Sequence, residues 1–517
     1  MDFPTRLVTR PKALTFTLLN LFTILVAITL FAAHPTAKPH PPDIVSALSP
    51  LLSLSAVILV PSSPGFSALL GERWSTSLLN APRPAAIVLP AAESDIAQII
   101  RFANAHALPF LATAGGHGTN AWLAGLDGGL LIHLANLTRF ELAPDGRTAL
   151  LGGGSLGQRV AEQLWARGKQ TTTGSCGCVS VAGPMLGGGH GLLQGQYGLL
   201  ADQLVSVRVV LGDGEVVEAS ERERADLFWA LRGAGHNFGV VSEMRYRVYD
   251  IPDGRRDWVI ETFVFGGDKL EEYYELANRM MLEQPPHVVA WSLWVMDKTV
   301  DADKPVITVL ILYNGPLEEA EEYTKPICAL GPLKSDVAVT EYPRVMEAMG
   351  LAIGGPICAP KGTAVVRAVD TDKYHVRNVR KWYDVFSDML ASNEAFASSQ
   401  CLLEGYSVQA VQAVPAESTA FALRNQNLLF GPVIFYESIN NETLDAEAKH
   451  WSKAMEAAAS GDRKRRAYVN YAYGDESIQA VYGYEQWRLN KLEKLKQRYD
   501  PENRFRFYAP IVPERRH

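Results

Sequence analysis

The sequence has few cysteines and no block of basic residues. Five cysteines in 517 residues are too few and too scattered for a disulfide framework. Because the number is odd, at least one cysteine is free or otherwise used. The net charge of −7 is spread over the whole length, which argues against nucleic acid as a partner. The cysteines are Cys176, Cys178, Cys328, Cys358 and Cys401.

Two common nucleotide-binding motifs are also missing. No Lys-Ser/Thr pair follows the triple glycine at 187–189, so this stretch is not a P-loop, and no clean strand-turn-helix unit makes it a nicotinamide-binding turn. What the chain does have is an ordinary globular composition, with 47% hydrophobic and 20% charged residues. Its length is too great for one core. We expect a monomer with two or three domains.

The N-terminus carries an uncharged apolar run from 13 to 33, preceded by Arg6, Arg10 and Lys12. A run of this length can cross a bilayer, which takes about 20 residues, and the positive flank should stay cytosolic. We therefore expect residues 1–33 to anchor the protein in the membrane, with the remainder on the lumenal side. A cleaved signal ending near Ala33 is the alternative.

Entry into the secretory route agrees with two sequons, which begin at Asn136 and Asn441. Sequons also arise by chance, so they add modest weight. The segment 34–65 is rich in proline and is predicted to be a semi-rigid linker, with the first domain starting at about Phe66.

From Pro84 the chain alternates between strand and helix patterns. Residues 85–89 form an apolar strand pattern, Ser94 is placed to cap a helix, and 109–113 form a second strand pattern. The second strand leads directly into the sequence Gly115-Gly116-His117-Gly118. Open α/β sheets usually bind ligands at such strand ends.

Two more glycine loops follow, within the stretches 174–191 and 226–241. Any one glycine loop can simply make tight turns. Three within about 130 residues need a common explanation, and a long cofactor that carries phosphate groups supplies one, because glycine lets the backbone approach a ligand closely.

The middle of the chain has a different character, with patterns that indicate a β-rich domain. Its aromatic residues are assigned mostly to the core on base rates, so no pocket residue is named there. Strands are predicted at 258–265, 287–296, 305–313, 364–369, 401–413 and 427–437, with helices at 268–282 and 317–324.

Together, AGGHG, GSCGCVSVAGPMLGGGHG and DLFWALRGAGHNFGVV resemble the flavin domain of the berberine bridge enzyme-like FAD-linked oxidoreductases, in the vanillyl-alcohol oxidase superfamily. The C-terminal Tyr468-Val469-Asn470-Tyr471 and the segment ending in Asp-Pro-Glu-Asn503 resemble the closing module of the same family. The resemblance implies an α+β protein. Its expected parts are a PCMH-type FAD-binding domain (66–252), an antiparallel-sheet substrate domain (253–464) and a C-terminal module (465–517) that completes the flavin domain.

The resemblance implies that His117 bonds to the 8α-methyl of the flavin and that Cys176 bonds to its C6. Imidazole nitrogen and thiolate are nucleophiles able to form such bonds. Cys178 is a rival, but the family spacing of eleven residues before Gly187 selects Cys176. A redox C-x-C pair or a metal pair is the further alternative, although no second ligand pair lies nearby, and we expect no metal. The other residues expected to bind FAD are Gly115, Gly116, Gly118, Gly183, Gly187, Gly188, Gly239, Val240 and Asn470.

One position departs from the family pattern. Pro184 stands where members often carry a histidine under the pyrimidine edge of the flavin, so the group that stabilises negative charge at N1 is unassigned. His190 and His236 are spare candidates.

The expected reaction is removal of two electrons from an alcohol, an amine or an activated C–H of a small organic molecule, in the manner of natural-product oxidation. Tyr468 and Tyr471 are the candidate bases, and packing against the flavin is their alternative role. A secreted carbohydrate oxidase is the rival function. An inactive flavin-fold surface protein is another.

The resemblance also implies that O₂ is the electron acceptor. In the family, the residue three after the flavin-linked cysteine stands over the ring beside the carbon that reacts with oxygen, and its bulk decides access. That residue is Val179, which is smaller than leucine or isoleucine. Val179 simply filling a core strand is the alternative.

Overall fold

The computed structural model describes residues 43–75, 81–360, 362–437 and 441–511. The predicted anchor or signal at 1–33 lies outside these residues. Within them, no helix is both long enough and apolar enough to cross a membrane.

The described residues form strands and helices in alternation through the first half and mostly antiparallel strands with long helices in the second. The strands are β1 Val57–Leu59, β2 Ala86–Leu89, β3 Phe110–Thr113, β4 Leu130–His133, β5 Phe140–Leu142, β6 Thr148–Gly152, β7 Lys169–Gln170, β8 Leu204–Val210, β9 Val216–Ser220, β10 Val240–Arg247, β11 Tyr249–Asp250, β12 Asp257–Phe265, β13 Val288–Val295, β14 Val306–Asn314, β15 Lys334–Glu341, β16 Thr363–Val366, β17 Val369–Thr371, β18 Gln400–Tyr406 and β19 Leu428–Tyr436. The helices are α1 Ile44–Leu48, α2 Phe66–Gly71, α3 Glu93–Ala105, α4 Gly157–Trp165, α5 Ala182–Leu186, α6 Gln194–Tyr197, α7 Ala225–Leu231, α8 Leu270–Met281, α9 Leu317–Cys328, α10 Tyr342–Ala348, α11 Val376–Ser392, α12 Gln409–Gln412, α13 Glu442–Ser460, α14 Ile478–Tyr482 and α15 Gln486–Tyr499.

The first sheet has four strands in the order β1-β2-β4-β3. Strand β4 is parallel to both β2 and β3, and the side chains of β2 and β4 are buried on both faces, as the apolar runs predict. Strand β1 pairs antiparallel with β2, so this sheet begins before Phe66, within the segment predicted to be a linker. The loop that carries His117 follows β3.

The second sheet is antiparallel, with five strands in the order β5-β6-β10-β8-β9. Strands β8 and β9 form a hairpin, paired from Ser206 with Ser220 to Val210 with Val216. Gly214 has φ +83° in its turn, a backbone conformation that favours glycine.

The third sheet has eight strands and is antiparallel throughout. Side chains of one face, including Phe263, Trp294 and Leu403, pack with Trp382 and Phe386 of α11 in a large apolar core. Because side chains alternate along a strand, the residues between them face the other way. That second face lines the site described below.

The C-terminal segment returns to the first half of the chain. Asn237 donates through Nδ2 to the hydroxyl of Tyr482 at 2.9 Å, and the Lys496 ammonium donates to the Asn237 carbonyl at 3.0 Å. Lys496 is fully buried and also donates to Asp500 at 2.6 Å. A buried ammonium ion needs such partners, and they hold α15 against the glycine loop 233–239.

Most predicted elements are confirmed to within a few residues, but two predictions fail and two elements were missed. Ser94 does not cap α3, because Asp95 accepts the backbone N–H groups of Ala91 and Ala92 instead. The predicted strand 401–413 ends at Tyr406, and the rest of the predicted range contains the short helix α12. Strand β15 and helix α11 were not predicted. Strand β15 lies at a sheet edge with Val337 and Val339 exposed, so it lacks the alternation that a half-buried strand shows.

Candidate functional site

A cavity of about 860 Å³ lies where the glycine loops, the second face of the eight-stranded sheet and the C-terminal segment meet. Its size is in the range of small-molecule sites. Most of the site residues predicted from sequence line it: Gly115, Gly116, His117, Gly118, Cys176, Val179, Gly183, Gly239, Tyr468, Asn470 and Tyr471.

Three predicted residues, Gly187, Gly188 and Val240, are outside the cavity wall. A Cβ at Gly187 would meet the side-chain oxygen of Asn470 at 2.2 Å, and one at Gly188 would meet the Phe421 ring at 2.4 Å. These glycines therefore allow close packing behind the site. Val240 is buried in β10 and pairs with Val210.

His117 lies in the loop after β3 with its ring stacked on Trp74, at 6.1 Å between centroids. Burial lowers the pKa of His117 to about 4, so the imidazole is neutral near pH 7. A neutral imidazole has a free lone pair. His117 is thus prepared to act as a nucleophile.

Cys176 is a free thiol beside a disulfide that joins Cys178 to Cys358. The partners of this bond are 180 residues apart, and their pairing was not predicted from the sequence. The Cys176 sulfur lies 3.4 Å from that of Cys178 and 3.6 Å from that of Cys358. Because Cys178 is bonded, Cys176 is the thiol available in this motif. Burial raises the pKa of Cys176 to about 11, so reaction there requires that the thiol first lose its proton.

Three side chains in this part of the cavity, those of His117, Cys176 and Cys178, are spaced like the ligands of a metal site. His117, Cys176 and Cys178 bring one ligand atom each within 4.8 Å of one another. The Cys178 sulfur is bonded to Cys358, however, and a disulfide sulfur is not a thiolate ligand.

The loop around His117 presents backbone donors. The N–H groups of Gly116, His117 and Gly118 form no hydrogen bond in the part of the chain that the structure describes. Successive N–H groups without a protein partner form nests for polar or anionic ligands. Gly116 has φ +69°, which favours glycine at this turn.

Pro184, the position that departs from the family pattern, and His236, a spare candidate, both line the cavity. The Pro184 carbonyl accepts from Asn470 Nδ2 at 2.9 Å. The His236 ring bonds through Nε2 to the Gly183 carbonyl at 2.9 Å, and its buried Nδ1 has no partner among the described residues. Burial lowers the pKa of His236 to about 4. With Nε2 donating, Nδ1 is an acceptor that faces no protein donor.

These features fit FAD. The neutral imidazole of His117 and the thiol of Cys176 are the two nucleophiles expected from the sequence. Free backbone donors at 116–118 and the orphan acceptor on His236 match a ligand rich in donors and acceptors. Gly174 adds room, since a Cβ there would meet nothing within 4 Å.

A carboxyl group, that of Glu404 in β18, lies on the sheet side of the cavity and was not predicted. Tyr471 donates its hydroxyl to Glu404 Oε1 at 3.0 Å, and Tyr406 donates to the other oxygen. Glu404 is only 2% exposed, and burial raises its pKa to about 7. A lone carboxylate in the apolar run Cys401–Tyr406 was the available signal, because acidic residues are rarely fully buried.

Tyr468 is placed differently from Tyr471. Its oxygen accepts from the His190 backbone N–H at 3.3 Å and from Asn470 Nδ2 at 2.6 Å. Burial raises the pKa values of both tyrosines. Tyr471 is the tyrosine with a carboxyl acceptor, so it is the better placed of the two to pass on a proton.

The comparisons with known proteins agree with this site. A profile described as FAD binding domain matches residues 84–220, and one described as berberine and berberine like matches 467–512. The FAD-linked oxidoreductase chyH of Penicillium rubens is 38% identical over 471 residues, which cover 90% of this chain and 93% of the relative. The chain belongs to the berberine bridge enzyme-like FAD-linked oxidoreductases. It is an FAD-dependent enzyme of the oxidoreductase class.

Solved structures share the fold of this oxidoreductase at low identity. A chitooligosaccharide oxidase superimposes with a TM-score of 0.78 at 21% identity, covering 91% of this chain and all of that one. A glucooligosaccharide oxidase from Acremonium strictum, described as carrying a 6-S-cysteinyl, 8α-N1-histidyl FAD, has a TM-score of 0.74 at 22% identity, covering 91% of this chain and 99% of that one. The first profile match contains His117 and Cys176, and the second contains Tyr468, Asn470 and Tyr471.

Proposed function

We propose that the enzyme oxidises a small alcohol or amine at the carbon that bears the functional group, with the Glu404–Tyr471 pair taking the proton. The observation that carries this proposal is the buried carboxyl of Glu404, held by two tyrosine hydroxyls in the same cavity as His117 and Cys176. When bound, FAD supplies the acceptor for the hydride and its two electrons.

The proton has a defined path among the residues of this chain. Tyr471 donates to Glu404, so a substrate proton can pass to the Tyr471 oxygen while the Tyr471 proton passes to the carboxylate. A base is most effective when its pKa is near the working pH, and burial places that of Glu404 at about 7. Tyr406 holds the second carboxylate oxygen and so fixes the orientation of the carboxyl group.

We further propose that FAD is covalently held by His117 and Cys176. The neutral His117 and the free thiol of Cys176 support this, as does the doubly linked FAD of the structurally similar Acremonium enzyme. The disulfide leaves Cys178 without a thiol. His117 is the more reactive partner, since burial keeps the thiol of Cys176 protonated.

Oxygen is proposed as the electron acceptor. Val179 lines the cavity three residues after Cys176, and its backbone N–H donates to the Cys176 carbonyl at 3.2 Å. This bond fixes the backbone turn that joins the two cavity residues. The structural neighbours named as oxidases agree with this proposal.

The test is reduction of the flavin by substrate without air. A panel of alcohols and amines is added to the purified enzyme under argon, and the visible flavin absorption is followed. At least one compound should bleach it, and readmitting air should restore the colour with formation of peroxide. If only a chemical reductant bleaches the flavin, the proposed oxidation is wrong. Bleaching that air does not reverse would contradict O₂ as the acceptor.

For location, we propose that residues 1–33 keep the enzyme on the membrane with its catalytic part in the lumen. The Cys178–Cys358 disulfide supports an oxidising compartment. Asn136 and Asn441 are exposed, as glycan acceptors must be, and Asn441 caps α13 through its side-chain Oδ1, while its Nδ2 has no partner among the described residues. Carbonate-washed membranes should retain the protein, and glycosidase should increase its gel mobility. A soluble form beginning near His34 would show signal cleavage instead.

A further inference from the structure

The second face of the eight-stranded sheet forms the floor of the cavity, and the strand register defines its layout. Trp291 of β13 is paired with Glu404 of β18 on one side and with Leu310 of β14 on the other. The neighbouring row pairs Leu293 with Leu402, and Leu402 with Gly431 of β19. Directly paired side chains lie about 4.5–5.5 Å apart on a sheet face. The floor is therefore two adjacent rows around Glu404.

The chemistry of this floor is mostly apolar. Of its described residues, Glu404 alone has a carboxyl group, and both oxygens of that carboxyl already accept from tyrosines. Its neighbours Leu310, Leu293 and Leu402 offer no hydrogen bond. Within the floor the Trp291 indole adds one N–H donor, which has no partner among the described residues. Two uncharged polar side chains, Thr262 next to Leu310 and Gln400 one row beyond Leu402, lie at its margins.

A gap in the floor lies beside the proposed base. Gly431 has no side chain, and a Cβ built there would meet only the Tyr471 ring, at 3.9 Å, an ordinary contact distance. Elsewhere in this sheet a Cβ would meet backbone, as at Gly405, where the Ala290 oxygen is 2.5 Å away. Gly431 therefore leaves open space next to Tyr471, and the packing of the sheet does not require a glycine at this position.

We infer that the substrate is an uncharged, largely apolar alcohol or amine, not a sugar. We infer also that Gly431 determines how large the apolar part of the substrate can be. This inference rests on the proposed function. The functional group of the substrate meets Glu404 and Tyr471, and its apolar body lies over Leu293, Leu402 and the space at Gly431. A sugar ring would bring several hydroxyls onto leucine side chains. Each hydroxyl buried without a partner weakens binding by about 5- to 150-fold.

The first test measures binding to the intact flavoenzyme. Perturbation of the flavin spectrum is titrated with cinnamyl alcohol, geraniol and tryptophol, and in parallel with cellobiose and xylobiose. At least one apolar alcohol should bind with a Kd tenfold or more below that of either disaccharide. A lower Kd for a disaccharide, or no binding by any apolar probe up to its solubility limit, would overturn the inference.

Two variants test the residues. Gly431→Ala should weaken binding of the bulkiest apolar probe by about tenfold while flavin content and melting temperature stay as in the wild type. Leu402→Asn should weaken every apolar probe by about tenfold. Leu333→Asn, at a position 62% exposed and outside the cavity wall, is the matched control and should change nothing. Unchanged binding in both cavity variants would overturn the assignment.

The outcomes separate this inference from the proposed function. Tight binding of an apolar alcohol without bleaching under argon supports the substrate class and contradicts the proposed oxidation. Bleaching by a disaccharide, with no response to apolar probes, supports the oxidation and contradicts the substrate class.

Discussion

At the scale of single residues, Glu404 can be compared with Glu261, a second buried glutamate of the same sheet. Glu261 lies in β12, and Thr324 of α9 donates to its carboxylate at 2.9 Å. It is on the helix side, whereas Glu404 lines the cavity. Burial raises the pKa of both groups. The two glutamates are therefore alike in burial and in the direction of their pKa shift, but only Glu404 lines the cavity.

We predict that Glu404→Gln lowers the rate of flavin reduction by about 10²–10⁴-fold, the usual contribution of a general base. In the wild type this rate should rise with pH through about 7, as the Glu404 carboxyl loses its proton. The variant should lack this rise. Stopped-flow absorption under argon measures both. Glu261→Gln should reduce at the wild-type rate, and an equal loss in the two variants would indicate a structural effect.

Flavin attachment is also decided by single residues. We expect the acid-precipitated wild-type protein to stay yellow, and His117→Ala to keep part of its flavin through Cys176. The double variant His117→Ala/Cys176→Ala should release all of it, because no covalent bond is left. Fluorescence of the washed precipitate measures this, with the exposed Cys328→Ala as control. Free FAD in the supernatant of the wild type would disprove covalent attachment.

Val179 is predicted to control access of oxygen. Val179→Leu adds one methylene in a close-packed wall and should slow reoxidation of the reduced enzyme by air, while reduction by substrate stays nearly unchanged. Mixing photoreduced enzyme with aerated buffer gives the reoxidation rate directly. Equal rates in the two proteins would mean that Val179 fills space and does not gate oxygen.

At the scale of elements, the segment 349–358 forms a strap over the site, and Met349, Leu351 and Ile357 line the cavity. The disulfide joins it to the Cys176 motif through Cys358. Backbone bonds add to this, since Gly177 donates to the Leu351 carbonyl at 2.8 Å and the Trp74 indole donates to the Ile357 carbonyl at 2.8 Å. The strap is therefore part of the flavin site although it lies far along the chain.

We predict that Cys178→Ser/Cys358→Ser lowers the free energy of unfolding by about 2–4 kcal/mol, because the unfolded chain loses a long-range cross-link. Dithiothreitol should lower the melting temperature of the wild type and leave that of the variant unchanged. Thermal melts with and without the reductant provide the measurement. If the melting temperature of the wild type does not change although a thiol assay shows that the disulfide is reduced, the disulfide contributes nothing to stability.

At the scale of the whole molecule, buried acids couple stability to pH. Asp370 is 6% exposed, accepts the Tyr468 N–H at 2.6 Å, and has its pKa raised to about 7 by burial. The folded state then holds a proton that the unfolded state releases near its ordinary pKa of about 4. The stability from this group is complete below pH 4 and is lost as pH rises to about 7.

Replacing Asp370 with asparagine should remove this loss. The free energy of unfolding of Asp370→Asn should match that of the wild type at pH 4 and exceed it by roughly 4 kcal/mol at pH 8. Burial lowers the pKa values of His190 and His236 to about 4, which destabilises both proteins equally below pH 6.5. Chemical denaturation at the two pH values gives the difference, and a constant difference would contradict the raised pKa.

Much of the fold and half of the site are local properties of the sequence. The glycine loops and the strand before His117 are short stretches whose backbone conformation depends on the residue types within them. Their positions could therefore be predicted. The strand patterns at 287–296 and 305–313 also predicted β13 and β14 to within one residue. The C-terminal motif likewise identified Tyr468, Asn470 and Tyr471.

Only the tertiary structure decided which of these residues work together. Glu404 and Tyr471 are 67 positions apart, and the sheet register together with the returning C-terminal segment brings them into contact. The same holds for Cys178 and Cys358, 180 positions apart. Gly187 and Gly188, predicted to bind FAD, also pack closely against Asn470 and Phe421, which lie far along the chain. Local sequence patterns predict the backbone conformation of each stretch. A catalytic pair depends instead on the distance between two residues that are remote in the chain, and no stretch of neighbouring residues determines that distance.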